Sequence, residues 1–230
     1  MFHLEDAIGF TLLKDALTSI PSDFQPTNKR TKMKYKNIVF DLGNVLVKLD
    51  EEATMHAFEQ LGWGQYDHIR ENPEGLKLFQ DMGLGLISNQ HFFDAFRRMT
   101  GSKVTDRQIT DATNAMLLYI PDAKKQKLLQ LRKEGIKTFL LSNTIDLHWR
   151  FCVDHLFPMD GYGVNDYFEQ TFVSQEMHMK KPNDDIFQQV IKETAINPAE
   201  TLFIDDLEVN CLAAEHNGFH TFQTSISMIG

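Results

Sequence analysis

The stretch Asn37-Ile-Val-Phe-Asp41 is a short apolar run that ends in an acid. Three later runs have the same design, Thr138–Ser142, Thr171–Ser174 and Thr201–Asp205, and His220–Gln223 is a fifth candidate strand. Continuous apolar runs of this length are typical of strands that are covered on both faces of a parallel sheet. The sequence therefore predicts a mostly parallel sheet whose strands end in polar residues.

Helical segments lie between these runs. Asp122–Glu134 follows Pro121, a residue type favoured in the first turn of a helix, and Asp184–Thr194 and Val209–Asn217 are two further helices, the last ended by Gly218. Strands that alternate with helices indicate an α/β fold, here a Rossmann-like parallel sheet with helices on both faces. Ligands of such folds bind at the carboxyl ends of the strands, so the polar strand ends are expected to meet at one site.

Residues 51–118 form an insertion without a clear strand. Apolar residues recur there at helical spacing in three groups: Met55, Phe58 and Leu61; Phe92, Phe93, Phe96 and Met99; and Ile109, Ala112 and Met116. We interpret this insertion as a small helical cap domain that lies over the site. The Rossmann-like catalytic core is then formed by residues 35–50 and 119–230.

Residues 1–34 stand apart from this pattern as an N-terminal extension. Apolar positions between Ala7 and Leu17 could form one face of a short helix, and a linker rich in Pro, Asn, Lys and Thr runs from Pro21 to Lys34. This extension packs on the body or on a partner, or the working start of the chain is Met33, because the first strand begins a few residues later. The sequence leaves these alternatives open.

The chain has 230 residues, a formal net charge of −9 and a pI near 5.4. This charge argues against sequence-independent binding to nucleic acid, which requires a basic surface. The two cysteines, Cys152 and Cys211, form no disulfide framework or metal-binding pattern. No apolar run reaches the ~20 residues that span a bilayer, and the acids Glu5 and Asp6 stand where a signal peptide is basic. We expect a cytoplasmic protein with no membrane or nucleic-acid partner, of unknown oligomeric state.

The first two strand ends offer a nucleophile and an anion receptor. Asp41 lies at the tip of a buried strand, before the turn Leu42-Gly43-Asn44-Val45, where a carboxylate can attack an electrophile or hold a metal. A lone acid at a strand end is more often a turn or helix cap. Ser142, Asn143 and Thr144 combine hydroxyl, amide and backbone N–H groups at the start of a helix, which suits phosphoryl oxygens and equally suits an N-cap.

The other two strand ends offer a cation and an acidic pair. Lys181 precedes Pro182 and is held extended by it, so we choose it over Lys180 as the ammonium that neutralises phosphate and nucleophile. Asp205 and Asp206 are adjacent acids at the end of an apolar run, where like charges raise each other's pKa unless a cation binds. Because Mg²⁺ takes hard oxygen ligands and few protein carboxylates, the pair predicts a magnesium site.

Taken in order, four segments resemble the motifs of the haloacid-dehalogenase-like hydrolase superfamily: Asp41-Leu-Gly-Asn-Val, Leu141-Ser-Asn-Thr, Lys181-Pro, and Asp205-Asp206 with Asn210. The resemblance extends from about residue 36 to the C-terminus. The beginning Phe-Asp-Leu-Gly-Asn-Val is similar to a subgroup of bacterial sugar-phosphate phosphatases, of which α-glucose-1-phosphate phosphatase is an example. The resemblance implies a Mg²⁺-dependent phosphohydrolase that acts on a small phosphate ester, a sugar phosphate being favoured, beneath a helical cap.

The resemblance also implies a role for each site residue. Asp41 attacks phosphorus and becomes an aspartyl-phosphate, which water then hydrolyses. Mg²⁺ is held by Asp41, the backbone carbonyl of Gly43 and Asp206, with Asp205 and Asn210 in support. The residues that bind the transferring phosphoryl group are Ser142, Asn143 and Lys181.

Gly43 departs from the superfamily's usual pattern. Most of its phosphatases carry a second Asp two residues after the nucleophile, acting as general acid and base, and Gly43 stands at that place. Such help is worth ~10²–10⁴-fold in rate. The absence of the acid favours esters with a good leaving group, such as a sugar 1-phosphate, whose leaving oxygen needs the least protonation.

Three competing functions remain. Haloacid dehalogenases also lack the second acid, but they need no metal, so the pair Asp205–Asp206 would be poorly explained in them. A phosphomutase fits less well, because it relies on the missing acid to return the phosphoryl group. The third alternative is a catalytically weak module that binds a phosphorylated ligand or partner, which the intact Asp41, Lys181 and Asp206 disfavour.

Substrate-contacting residues are harder to choose. Phe79, Gln80 and Met82 are candidates for the cap's substrate-reading edge, although aromatic residues at helical spacing more often form a bundle core. His148 and Trp149 follow the second motif closely enough to line a pocket, but packing at the start of a helix is the favoured interpretation.

Overall fold

A five-stranded parallel sheet lies at the centre of the computed structural model, which describes residues 35–62 and 73–224. In spatial order its strands are β5 (Gln170–Val173), β4 (Lys137–Ser142), β1 (Asn37–Phe40), β6 (Thr201–Asp205) and β7 (His220–Gln223). Every neighbouring pair is parallel. The predicted sheet is confirmed, with strand ends within one residue of those expected. The predictions for residues 1–34 lie outside the described residues.

Helices cover both faces of the sheet. Successive residues of β1 point to opposite faces: Ile38 and Phe40 belong to one buried cluster and Val39 to another. The connecting helices are α5 (Asp122–Lys133), α6 (Asp146–Phe151), α7 (Val164–Tyr167), α8 (Ser174–Met177), α9 (Asp184–Thr194) and α10 (Glu208–His216). A π-helical turn, Cys152–Leu156, continues α6, and a 3₁₀ turn, Pro198–Glu200, precedes β6. The α/β, Rossmann-like prediction is confirmed.

The insertion is helical and has its own apolar centre. Its helices are α1 (Glu51–Gln60), α2 (Pro73–Gly83), α3 (Asn89–Thr100) and α4 (Asp106–Asn114). Phe58 and Phe96 pack with their ring centroids 5.5 Å apart inside a buried cluster that also includes Phe92 and Ile109. Thr105 begins α4 with a reciprocal capping box to Gln108.

A short antiparallel ladder stands where the chain enters and leaves these helices. β2 (Lys48–Leu49) pairs with β3 (Leu117–Tyr119). We expected no clear strand within residues 51–118, so β3, which begins at Leu117, corrects the sequence interpretation. Strands of two and three residues are too short to show alternation, and only Leu117 of β3 is buried. The division into a core and a cap at residues 50 and 119 stays a prediction.

Within the described ranges, no helix is both long enough and apolar enough to cross a bilayer.

Candidate active site

The carboxyl ends of three neighbouring strands bring the predicted residues together. Asp41 directly follows β1, Ser142 ends β4 and Asp205 ends β6, and β1 lies between the other two strands. The backbone N–H of Asp41 extends the ladder by donating to the carbonyl of Ile204 at 2.9 Å. All three polar side chains are buried. Parallel pairing therefore places residues that are distant in the sequence at one edge of the sheet.

The Lys181 ammonium lies at the centre of this group. Its Nζ donates to Asp41 Oδ1 at 2.7 Å, to Asp205 Oδ2 at 2.7 Å and to the carbonyl of Leu141 at 2.9 Å. The side chain is 1% exposed, so the charge is balanced by its two carboxylate partners and not by water. An ammonium has three N–H donors, and each has a partner here. Lys181 is therefore fixed beside the Asp41 carboxylate.

Asn143 holds the backbone of Lys181 in place. Its Nδ2 donates to the Lys181 carbonyl at 2.8 Å, and its Oδ1 accepts from the Lys181 N–H at 2.9 Å. This pairing joins the ends of β4 and of the segment that precedes α9. We predicted Asn143 as a phosphate ligand; the structure adds a positioning contact and leaves one of its two amide hydrogens for a ligand.

The two acids after β6 have different environments. Asp205 is fully buried, and its two oxygens accept from the Leu207 N–H, from Asn210 Nδ2 and from Lys181. Asp206 is partly exposed, and one of its oxygens accepts from Asn44 Nδ2 at 3.2 Å. Asp205 thus orients the lysine, while Asp206 retains an oxygen for a cation.

The donor set fits a magnesium ion. One carboxylate oxygen from each of Asp41, Asp205 and Asp206 lies within 4.8 Å of the others. Hard oxygen donors in small number, with room for water and phosphate, are what Mg²⁺ prefers. Asp41 and Asp206 are the better placed ligands, because the oxygens of Asp205 are already hydrogen bonded. The Gly43 carbonyl follows in the turn after Asp41 and stays a predicted ligand.

Burial governs the protonation of these acids. It raises the pKa of Asp41 to about 6, with the Asp205 charge acting in the same direction and the Lys181 charge opposing both. Burial also raises the pKa of Asp206. The metal-free site therefore takes up protons more readily than ordinary carboxyls do. A bound cation favours the ionised forms of both acids.

Magnesium binding is expected to depend on pH for this reason. Asp41 must lose a proton to bind the ion, so affinity should rise with pH up to about 6 and then level off. In the metal-free protein the raised pKa has the opposite effect on stability: stability should increase as pH falls from about 6 towards 4, because the folded state binds the extra proton. Calorimetric titration with MgCl₂ at pH 5.0 and 7.5 tests the first expectation. Equal affinity at both pH values would contradict it.

A cavity of about 550 Å³ opens beside these residues, a volume suited to a small metabolite. Gly43, Ser142 and Asn143 line it from the strand ends, and Phe79 and Gln80 line it from the insertion. Met82, the third candidate for the substrate-contacting edge, is instead buried in the insertion's own cluster. Residues of the strand ends and of the insertion thus line one cavity.

His148 and Trp149 have different environments in the structure. His148 lines the cavity, which corrects the interpretation that we favoured, and its Nε2 bonds the Thr113 carbonyl at 2.9 Å. Trp149 packs in the core, with its ring 6.1 Å from that of Phe157. The sequence could not distinguish the two, because the face of α6 towards the cavity depends on where the insertion packs.

The insertion touches the core closely at one turn. Gly85 has a φ of 63°, and a Cβ built on it would lie 1.9 Å from the carbonyl oxygen of Gln175. On either side, Ser174 Oγ donates to the Gly83 carbonyl at 2.7 Å, and His178 Nδ1 bonds the Leu84 carbonyl at 2.7 Å. Only glycine permits this approach between the two backbones.

Comparison with known proteins identifies the family. A family model for haloacid dehalogenase-like hydrolases matches residues 35–218. The D-ribitol-5-phosphate phosphatase of Bacteroides thetaiotaomicron is 31% identical over 188 residues, covering 82% of this chain and 91% of that protein. A glyceraldehyde 3-phosphate phosphatase of Pyrococcus furiosus is 26% identical over 185 residues, covering 75% of this chain and 73% of that protein.

A solved structure shows the same fold with ligands bound. A HAD family enzyme from Bacteroides thetaiotaomicron, in complex with magnesium and inorganic phosphate, is 40% identical with a TM-score of 0.79, covering 84% of this chain and 95% of that one. The L-2-haloacid dehalogenase of Xanthobacter autotrophicus is 18% identical with a TM-score of 0.54 and shares the fold alone. The chain therefore belongs to the haloacid dehalogenase-like hydrolase family, among its phosphatases.

Proposed function

We propose that this chain is a Mg²⁺-dependent phosphatase of a small polyhydroxylated phosphate ester, a sugar or sugar-alcohol phosphate, that works through an aspartyl-phosphate on Asp41. The observation that carries the proposal is the buried Lys181 ammonium, 2.7 Å from both Asp41 and Asp205, beside a third acid, Asp206. Relatives named as sugar-phosphate and sugar-alcohol phosphate phosphatases support the choice of substrate class.

Asp41 is the nucleophile in this proposal. Lys181 holds its carboxylate in one orientation, so an oxygen can attack phosphorus in line with the leaving alcohol. The O–P bond to Asp41 forms as the bond to the leaving oxygen breaks, and that oxygen takes its proton from water. A second water then attacks phosphorus, releases phosphate and restores the carboxylate.

The neighbouring groups balance the charge that develops. Ser142 and the free amide hydrogen of Asn143 bind phosphoryl oxygens, and Lys181 neutralises negative charge between nucleophile and phosphate. Mg²⁺ on Asp41, the Gly43 carbonyl and Asp206 supplies further charge neutralisation when it is bound. Asp205 and Asn210 keep the lysine and the metal ligands in position. We also propose that α1–α4 act as the cap that excludes water.

The decisive experiment measures phosphate release with and without Mg²⁺. We expect release that EDTA abolishes and added MgCl₂ restores, because the carboxylates then lack the ion that neutralises them. Chloride release from a 2-haloacid without metal would favour the dehalogenase. Absence of release from a broad panel of sugar and sugar-alcohol phosphates would leave only the phospholigand-binding module.

Leaving-group chemistry gives a separate prediction. Gly43 has no carboxyl, and the Leu49 side chain lies against it: a Cβ built at this position would be 2.9 Å from Leu49 Cδ1. We expect sugar 1-phosphates to have the higher kcat, because a good leaving group depends least on the ~10²–10⁴-fold help of an acid. Steady-state kinetics on a matched pair, a hexose 1-phosphate and the corresponding 6-phosphate, measures this. Equal kcat values would contradict it.

A further inference from the structure

A group of polar atoms that line the cavity is joined by hydrogen bonds. The carbonyl oxygen of Thr113 accepts from Thr54 Oγ1 at 3.2 Å and is 2.9 Å from His148 Nε2. Thr54 Oγ1 in turn accepts from the Met116 N–H at 2.9 Å. All of these residues line the cavity. Their donors and acceptors are therefore largely engaged by other protein groups.

This network fixes the tautomer of His148. A carbonyl oxygen can only accept a hydrogen bond, so Nε2 carries the hydrogen and Nδ1 carries a lone pair. Burial lowers the pKa of His148, so the ring is neutral at neutral pH. Within residues 35–62 and 73–224, Nδ1 makes no hydrogen bond to protein. The cavity wall thus has a neutral acceptor that the protein leaves unused.

Several residues that line the cavity are apolar and suit the carbon side of a hydroxylated ligand, while polar residues such as Gln80 also line it. Phe79 and Leu76 line the cavity from α2, and Phe58 lines it from α1. Apolar side chains pack against C–H groups and offer nothing to a hydroxyl. A hydroxyl that leaves water for this space must find an acceptor, since an unpaired buried hydroxyl is costly.

We propose that His148 Nδ1 accepts a hydrogen bond from a hydroxyl of the leaving alcohol, and that it makes the enzyme select polyhydroxylated esters over unhydroxylated ones. The inference rests on the proposed function and goes beyond it by assigning the contact that recognises the alcohol. His148 determines specificity here and takes no part in the transfer of phosphate.

Two variants separate the two ring nitrogens. The amide of His148→Gln reaches the place of Nε2 and can keep the bond to Thr113, but it loses the acceptor at Nδ1. The amide of His148→Asn lies near the place of Nδ1 and keeps an acceptor there, but it loses the bond to Thr113. If the bond to Thr113 matters only for structure, His148→Asn should be the more impaired variant. If Nδ1 recognises the substrate, His148→Gln should be the more impaired variant.

The substrates are a pentitol 5-phosphate and n-pentyl phosphate, which have the same chain length and the same primary leaving oxygen. We expect His148→Gln to lower kcat/KM for the pentitol ester about five- to tenfold, mostly through KM, as for the loss of one neutral hydrogen bond. The pentyl ester should change less than about twofold, within the effect of a lost water contact. His148→Asn should retain the selectivity, and His91→Gln, which changes an exposed histidine that does not line the cavity, is the matched control.

The outcomes separate a failure of the role assigned to His148 from a failure of the proposed function. An unchanged ratio of kcat/KM for the two esters in His148→Gln, with wild-type phosphatase activity intact, would overturn the role of His148 alone. A parallel fall for both esters would show a structural role and overturn it as well. If the wild-type holoenzyme in MgCl₂ released phosphate from neither of these esters and from no member of the sugar and sugar-alcohol phosphate panel, the proposed function would fall and this inference with it.

Discussion

Replacing Asp41 with Asn should reduce Mg²⁺-dependent phosphate release by about 10⁴-fold or more, the scale seen when a nucleophile is removed. The amide cannot form the acyl phosphate, and it is a poor metal ligand. The fold should survive, because burial already makes the charge of Asp41 costly and Lys181 keeps Asp205 and the Leu141 carbonyl as acceptors. Rapid-quench phosphate assays with thermal unfolding of the same sample measure both effects.

The control for this variant is Asp154→Asn, an exposed acid outside all four motifs. It changes the net charge by the same amount and should leave phosphate release unchanged. Metal-dependent release by Asp41→Asn at more than about 1% of the wild-type rate would rule out Asp41 as the nucleophile, since a lost nucleophile costs far more.

Replacing Lys181 with Met should both abolish turnover and destabilise the metal-free protein by about 3–5 kcal/mol, the usual cost of leaving buried charges without their partner. Asp41 and Asp205 would face each other without the ammonium that now lies 2.7 Å from each. Mg²⁺ should restore part of the lost stability, because it also neutralises Asp41. Urea unfolding without Mg²⁺ and in about 5–10 mM MgCl₂, a concentration that is ample even for a weak site, measures this recovery of stability.

Lys180→Met is the matched control for stability. The two lysines are adjacent, yet Lys180 is exposed, so its loss should change the free energy of unfolding by less than about 0.5 kcal/mol. If Lys181→Met unfolded at the same urea concentration as wild type, the charged cluster would not hold the strand ends together as described. If Mg²⁺ failed to raise the stability of Lys181→Met, the ion would not bind at Asp41 and Asp206.

The strand ends could be predicted from the sequence because parallel pairing leaves little choice. Once Asn37–Asp41 and Thr201–Asp205 are strands of one parallel sheet, their terminal acids must meet at the same edge. Lys181 was distinguished from Lys180 by the backbone restriction before Pro182, and it is Lys181 that contacts both acids. The restriction before proline and the topology of the sheet are enough to predict where these residues lie.

Contacts between segments that are distant in the sequence could not be predicted. The bonds of Asn143 to the backbone of Lys181 join positions 38 residues apart, and they depend on side-chain rotamers that no pattern in the sequence reveals. The bond between His148 and Thr113 depends on how the insertion packs on the core. The β2–β3 ladder is too short for an alternating apolar pattern to mark its strands.

The close approach at Gly85 limits how this enzyme can diversify. Residues of α1, α2 and α4 line the cavity, so an exchange of α1–α4 between relatives would change the cavity wall. Any such exchange must keep a glycine where the turn meets the carbonyl of Gln175, since a single methyl group there would collide with the backbone at 1.9 Å. In a recombined enzyme without this glycine, the insertion would fold but could no longer pack against the core in this position.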